Sequence, residues 1–181
     1  MSLSWLPYAI SILRIALVPP ILILILQGEY GWALALFWFA GFSDGLDGYL
    51  AVRFGWTTRL GGLLDPAADK LLITGLFVTL AFTGDIPVWL AAVVILRDVV
   101  IVLGALAYNF IVKPVPGEPT RISKLNTALQ MIFILFVLSR AGFGWPDEIT
   151  ITVLGAAVLV TVIISGVDYV LAWSARARAG E

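Results

Sequence analysis

Four aspartates within residues 43–70 carry the chemistry that the sequence best supports, and they are Asp44, Asp47, Asp65 and Asp69. In a helix, residues three or four apart share one face, so each pair would present two carboxylates together. Carboxylates packed this closely repel one another unless a cation lies among them. Such hard oxygen ligands favour Mg²⁺, Mn²⁺ or Ca²⁺, and two such ions are suited to displacement at phosphorus.

The same stretch is rich in glycine, and Gly48 and Gly61 lie close to the aspartates. A glycine has no side chain, so a nucleotide or diphosphate can lie against its backbone. An ordinary interhelical turn would also use Gly and Asp, but a turn explains neither Asp44 nor Asp69. The chain has no Cys and no His, which excludes thiol nucleophiles, imidazole bases and zinc sites of the Cys/His kind.

The elements that must position this stretch are predicted to be membrane-spanning helices. Of the 181 residues, 61% are hydrophobic, and the mean hydropathy is +1.02, far from soluble proteins. Apolar runs bounded by charge, Gly and Pro predict an all-α membrane protein with one domain over residues 1–181. The six predicted spans are Tyr8–Gln27, Gly31–Val52, Gly61–Phe82, Ile86–Val112, Ile122–Ser139 and Ile149–Trp173. We expect the first to be retained rather than removed as a signal peptide.

The charges between the spans predict their orientation. The loops after spans 1, 3 and 5 hold a single cation, Arg140. The cations of the other two loops and the tail are Arg53, Arg59, Lys113, Arg121, Lys124, Arg176 and Arg178. By the positive-inside bias, both termini and the aspartate stretch lie at the cytoplasmic face. No basic stripe suggests a nucleic-acid partner.

Charged residues also fall inside three of the spans, namely Arg14, Arg97 with Asp98, and Asp168. A charge at such depth costs at least about 2.5 kcal/mol, so it tends to face a cavity or a partner. We expect Arg14 and Arg97 to be functional, the alternative being a structural pair with Asp98 or Asp168. We expect Asp168 itself to be structural.

The start of span 5 is a second polar region. Arg121 and Lys124 lie beside the helix start, and Ser123, Thr127 and Gln130 share one helix face. Free N–H groups at a helix N-terminus, together with nearby cations, favour an anion, phosphate especially. The plainer alternative is a positive-inside loop that leads into a capped helix.

The aspartates, two glycines and one alanine resemble, in type and spacing, the signature of the CDP-alcohol phosphotransferases. That spacing is Asp44-x2-Asp47-Gly48-x2-Ala51 followed by Gly61-x3-Asp65-x3-Asp69. The stretches LPYAISILRIALVP and LLDPAADKLLI are similar to the first and third helices of that family. Two positions depart from the pattern: Val52 stands where an Arg is usual, with Arg53 one place later, and Tyr8 stands where Asn is usual.

The resemblance implies a fold and a reaction. The family consists of six-helix, usually dimeric membrane enzymes. In them an alcohol hydroxyl attacks the phosphatidyl phosphorus of CDP-diacylglycerol and releases CMP. Asp44, Asp47 and Asp65 would hold two divalent cations, Mg²⁺ or Mn²⁺, and Asp69 would be a ligand or the general base. The residues expected at the CDP moiety and its phosphates are Gly48, Ala51, Gly61 and Arg53.

The acceptor is indicated by spans 4 and 5. IPVWLAAVVILRDVVIV and PTRISKLNTALQ look most like the eukaryotic-type cardiolipin synthases, whose acceptor is phosphatidylglycerol. Phosphatidylglycerophosphate synthases, which use glycerol 3-phosphate, typically carry a second Lys where Asn126 stands. A second cation would suit a phosphate monoester, so Asn126 favours the lipid acceptor. The residues expected at the acceptor phosphate are Arg97, Arg121, Lys124 and Asn126. The resemblance also implies a bacterial or mitochondrial type of inner membrane.

Two alternatives of other classes stay open. A cation transporter would also explain carboxylates in a membrane, although transporters tend to show internal repeats and interrupted helices. A non-catalytic scaffold has no use for four acids in register. Metal-dependent release of CMP separates the enzyme from both.

Overall fold

Six α-helices make up the regular structure of the part of the chain that is described. The computed structural model describes the backbone of residues 6–54, 61–111 and 121–179, and the side chains of residues 10, 12–43, 68–104, 122–169 and 171. The helices are α1 Leu6–Leu26, α2 Tyr30–Phe54, α3 Gly61–Thr83, α4 Val88–Ile111, α5 Arg121–Phe143 and α6 Glu148–Ala179.

Each predicted span coincides with one of these helices, and most ends agree within two residues. The exceptions are the C-terminal ends of α5 and α6, which run four and six residues further, to Phe143 and Ala179. Both spans were predicted to stop where charged residues begin, at Arg140 and shortly before Arg176. A helix can nevertheless continue after its backbone leaves the apolar layer. The number of membrane crossings stays a prediction. By length and composition, the described residues contain two stretches able to cross a membrane, Ile122–Phe143 and Glu148–Tyr169.

The chain divides into two compact units. Unit 1 consists of Met1–Ile86 and Ile134–Asp147, and unit 2 of Pro87–Phe133 and Glu148–Glu181. Helices α1, α2 and α3 therefore belong to unit 1, α4 and α6 belong to unit 2, and α5 contributes to both. The single domain predicted over residues 1–181 stays a prediction.

Unit 1 is organised around α1, which packs against both α2 and α3. Small side chains are buried in α2 and α3, among them Ala33, Ala40 and Ala68. Small buried residues let helix backbones approach closely, as is typical where apolar helices associate through van der Waals contact. Gly75 of α3 has the same effect, because an added Cβ would lie 3.2 Å from Leu22 Cδ1. The short connection between the second and third spans also predicts that α2 and α3 are antiparallel neighbours, and this stays a prediction.

At one end of unit 1, hydrogen bonds to Asp85, in the loop that follows α3, join the start of α2 to the end of α3. Tyr30 Oη donates to Asp85 Oδ2 over 2.9 Å, and Thr83 Oγ1 donates to the same oxygen over 2.5 Å. Burial, followed by the neighbouring Asp85, raises the pKa of the Tyr30 hydroxyl. A glycine with positive φ follows the end of α1 and the end of α3, namely Gly28 with 79° and Gly84 with 86°. Glycine adopts this conformation without strain.

Unit 2 is built on the contact of α4 with α6. Leu90 and Val94 of α4 and Val158 and Val162 of α6 are almost fully buried. Many other large apolar side chains are exposed, for example Phe82 in unit 1 at 83% and Ile149 in unit 2 at 72%. Soluble monomers rarely expose so much contiguous apolar surface, and this exposure agrees with helices that face lipid.

Gly142 of α5 provides a test of the packing in unit 1. An added Cβ would lie 3.2 Å from the backbone nitrogen of Gly31 and 3.3 Å from Tyr30 Cβ. We expect Gly142→Ala to lower the free energy of unfolding by about 1–3 kcal/mol, because the backbone must shift to admit the methyl group. Gly41→Ala is the matched control, since a Cβ there meets nothing within 4 Å.

Thermal unfolding of both variants in the same detergent measures the difference. Gly41→Ala should be neutral or more stable by up to about 1 kcal/mol, because Ala favours a helix over Gly. Equal stabilities for the two variants would show that α5 does not approach α2 as described.

Candidate active site

The four aspartates lie on the two helices that the signature requires. Asp44 and Asp47 lie in α2, and Asp65 and Asp69 in α3, so the helical spacing assumed for each pair is confirmed. The residues expected at the nucleotide also lie on these helices, with Gly48, Ala51 and Arg53 in α2 and Gly61 at the start of α3. The side chains of Asp44, Asp47, Ala51, Arg53 and Asp65 lie outside the described residues.

The side chain of Asp69 is described, and it forms an ion pair with Arg14. Arg14 Nη1 donates to Asp69 Oδ1 over 2.6 Å, which joins α1 to α3. The Arg14 side chain is 1% exposed, whereas that of Asp69 is 26% exposed. The structural alternative for Arg14 was a pair with Asp98 or Asp168, whereas the ion pair described for Arg14 is with Asp69. Arg14 instead contacts the fourth aspartate of the signature.

The donor chemistry of the four aspartates fits divalent cations. All four side chains supply carboxylate oxygens, which Mg²⁺ and Mn²⁺ prefer to other ligands. No cluster of three or more His, Cys, Asp or Glu side chains is found where side chains are described. That range contains only Asp69 of the four, so the assignment of Asp44, Asp47, Asp65 and Asp69 as metal ligands stays a prediction.

In unit 2, Arg97 connects three helices. Its Nη1 donates to Asp98 Oδ1 over 2.6 Å, and its Nη2 donates to Ser123 of α5 over 3.0 Å and to Ser165 of α6. The guanidinium also lies 6.0 Å from the ring centroid of Tyr169, within the range of a cation–π interaction. The pair with Asp98, the structural alternative for Arg97, is therefore present.

A buried polar face of α5 lies in the same unit. Asn126 is 0% exposed and Gln130 is 2% exposed, and their spacing of four residues places them on one face. Thr161 Oγ1 donates to Asn126 Oδ1 over 3.0 Å. Within the described part of the chain, Asn126 Nδ2 and Gln130 Nε2 have no hydrogen-bond partner. Two buried amide donors are thus available to a ligand or to water.

The other residues expected at the acceptor phosphate are less informative. Lys124 is exposed, while the side chain of Arg121 lies outside the described residues. Asp168, which was expected to be structural, is half-buried.

Arg97 also lines a groove of about 360 Å³ between α4 and α6, whose other lining residues are Gly166 and apolar side chains. The exposed lining of this groove is almost wholly apolar, and the Arg97 guanidinium donates to Asp98, Ser123 and Ser165 instead. The groove therefore matches an acyl chain rather than a phosphate.

Sequence reasoning missed two features of this arrangement. The Arg14–Asp69 pair joins residues 55 positions apart, and no local spacing marks such a contact. Thr161 and Ser165 of α6, which bond to Asn126 and Arg97, were missed because hydroxyls are common in apolar helices. The spacing of Asn126 and Gln130 was a usable signal. Two amides four residues apart in an apolar helix lie on one face, and that face requires polar partners or a cavity.

Comparison with known proteins supports the resemblance that the aspartates carry. Residues 4–167 match the CDP-alcohol phosphatidyltransferase family. The cardiolipin synthases (CMP-forming) of Rattus norvegicus and Homo sapiens are each 33% identical over 181 residues, which is 90% of this chain and 59% and 60% of theirs. A probable phosphatidylglycerophosphate synthase of Mycobacterium tuberculosis is 31% identical over 170 residues, 89% of this chain and 78% of its own.

The chain spans about 60% of the length of the two mammalian relatives. The family match, in contrast, covers most of this chain and includes all four aspartates. The resemblance seen in the sequence is thereby confirmed. The chain belongs to the CDP-alcohol phosphatidyltransferase family.

Proposed function

We propose that this protein transfers the phosphatidyl group of CDP-diacylglycerol to the hydroxyl of phosphatidylglycerol and releases CMP, as a cardiolipin synthase does. The observation that carries the proposal is the placement of four aspartates, at the family's spacing, on helices α2 and α3. The similarity to two cardiolipin synthases favours the lipid acceptor.

Asp44, Asp47 and Asp65 would hold two divalent cations, Mg²⁺ or Mn²⁺. Such ions offset the charge of the diphosphate and make the phosphorus more electrophilic. Gly48, Ala51 and Gly61 would lie against the CDP moiety, and Arg53 would lie near its phosphates. These assignments come from the family's signature, carried over residue by residue.

Asp69 would take the proton of the acceptor hydroxyl. As that proton leaves, the acceptor oxygen bonds to the phosphatidyl phosphorus, and the bond from phosphorus to the bridging oxygen breaks so that CMP departs. A base must reach the hydroxyl, and the partial exposure of Asp69, 26%, is compatible with that access. The chain has no His, so a carboxylate is the reasonable base.

The acceptor phosphate would be recognised in part by Arg97, Arg121, Lys124 and Asn126. For Asn126 the support is its buried Nδ2, a donor without a partner in the described residues. For Arg97 the support is its hydrogen bond to Ser123 at the start of α5. A separate feature of unit 2 is the apolar groove between α4 and α6. A groove of this kind suits a lipid acceptor better than glycerol 3-phosphate, which has no acyl chain.

We further propose that the protein is a homodimer in a bacterial or mitochondrial type of inner membrane, with six crossings. Both termini and the aspartates would lie at the cytoplasmic face, according to the distribution of Lys and Arg. The lipid substrates are consistent with this location, since donor and acceptor both reside in the bilayer.

The second candidate function is synthesis of phosphatidylglycerophosphate from glycerol 3-phosphate. The observation in its favour is the Mycobacterium tuberculosis relative, of which this chain covers 78%, a larger share than for the mammalian cardiolipin synthases. A cation transporter is the candidate from another class, and it would release no CMP.

We expect purified protein with CDP-diacylglycerol and Mg²⁺ or Mn²⁺ to form cardiolipin and CMP when phosphatidylglycerol is supplied. Mass spectrometry of the lipids and measurement of CMP follow the reaction, with glycerol 3-phosphate as the parallel acceptor. Product from glycerol 3-phosphate alone would establish the second candidate. Absence of CMP with either acceptor would contradict the phosphatidyltransferase assignment.

We expect Asp69→Asn to lower kcat by at least about 10²-fold, because the acceptor hydroxyl loses its base. Binding of CDP-diacylglycerol should be largely retained. The change also removes the counter-charge of Arg14, so the folded fraction must be measured alongside. Asp168→Asn, a change of the same chemistry on α6, is the control and should keep its activity. Loss of donor binding with residual turnover in Asp69→Asn would contradict the base assignment.

We expect Asn126→Ala to raise the apparent KM for the acceptor by about 2- to 10-fold, because the loss of one hydrogen bond weakens binding by about that factor. The KM for CDP-diacylglycerol should not change. Thr161→Val is the control, because it removes the bond to Asn126 Oδ1 but leaves the amide donor in place. If both variants shift the acceptor KM equally, Asn126 acts through its packing rather than by contact with the acceptor.

A further inference from the structure

We propose that Arg14 is the positioning residue of the catalytic base: it holds the carboxylate of Asp69 in the orientation from which it accepts the proton. This inference rests on the proposed function, in which Asp69 is the base. The observation behind it is the 2.6 Å hydrogen bond from Arg14 Nη1 to Asp69 Oδ1, a contact that brings a residue of α1 to the signature.

The burial of Arg14 shows that this pair is part of the helix interface. Arg14 is 2% exposed, so its guanidinium has lost nearly all contact with solvent. A buried charge is retained only with an opposite charge close by, and Asp69 supplies it. Asp69 is the more exposed partner, so its carboxylate can reach a substrate. Arg14 is the buried partner, so it can hold that carboxylate in place.

The packing of α1 on α3 gives the pair a defined geometry. Arg14, Val18 and Leu22 follow one another at four-residue spacing and share a face of α1. Val18 and Leu22 lie close to the Cα of Gly75 on α3, where an added Cβ would meet Val18 Cγ1 at 3.7 Å and Leu22 Cδ1 at 3.2 Å. This close approach brings the two backbones together and so sets the distance that Arg14 must bridge to Asp69.

A guanidinium suits this role better than an ammonium group. It is planar and always charged, and it presents N–H donors in fixed directions, whereas the Lys ammonium is a point charge on a flexible stem. Contact of Nη1 with Oδ1 therefore restricts where that oxygen of Asp69 can lie more closely than a Lys ammonium would. A catalytic group displaced by about 1 Å can lose about 10²-fold in rate, so this orientation affects kcat rather than substrate binding.

The test compares Arg14→Lys and Arg14→Met with the unmodified protein in the transferase assay. We expect kcat per folded protein to fall in the order Arg, Lys, Met, by roughly 3- to 10-fold for Lys and roughly 10- to 100-fold for Met. The KM for CDP-diacylglycerol should stay within about 2-fold, because the donor site is unchanged. Partial recovery by Lys relative to Met would show that the cation acts on turnover.

Gly142→Ala is the control for a purely structural effect. It is expected to destabilise unit 1 without touching Asp69, so its folded fraction should turn over at the unmodified kcat. Arg14→Lys keeps the counter-charge of Asp69 and decides the question even where Arg14→Met fails to fold. An unmodified kcat in folded Arg14→Lys would overturn the positioning role. Absence of transferase activity in the unmodified protein would instead contradict the proposed function.

Discussion

A charge within an apolar surrounding needs an opposite charge close by, and the interior of both units depends on this constraint. In unit 1 Arg14 meets Asp69 across two helices, and in unit 2 Arg97 meets Asp98 and the hydroxyls of Ser123 and Ser165. Both arginines are at least nine-tenths buried. Apolar contacts between helices can be made by many side chains of suitable size, whereas each of these polar contacts requires particular atoms in particular directions.

In unit 1 this constraint and the proposed chemistry share one residue. Asp69 is the counter-charge of Arg14 and also the fourth aspartate of the family's signature. Unit 2 contains buried polar groups of another kind. A buried hydrogen-bond donor without a partner disfavours folding by about 1–3 kcal/mol. Asn126 and Gln130 each carry such a donor, and a bound acceptor oxygen would relieve that cost.

The sequence predicted the helices well because apolar length is a local property. All six were expected, and the glycines at 28 and 84 that end α1 and α3 lie where the predicted loops begin. The aspartate positions were also predictable, since spacing within a helix follows from its period. The partner of Arg14 was not, because it is set by how α1 packs on α3 over a separation of 55 residues. The extension of α6 to Ala179 was missed because charge marks the end of an apolar layer, not the end of a helix.

We propose that the aspartates of α2 and α3 hold divalent cations and that this site transfers a phosphatidyl group. The most direct measurement is the number of Mn²⁺ ions bound per chain by electron paramagnetic resonance, combined with CMP release before and after chelation. We expect two bound ions, loss of CMP release in chelator and its recovery when Mn²⁺ is restored. Undiminished CMP release from chelated, metal-free protein would contradict it.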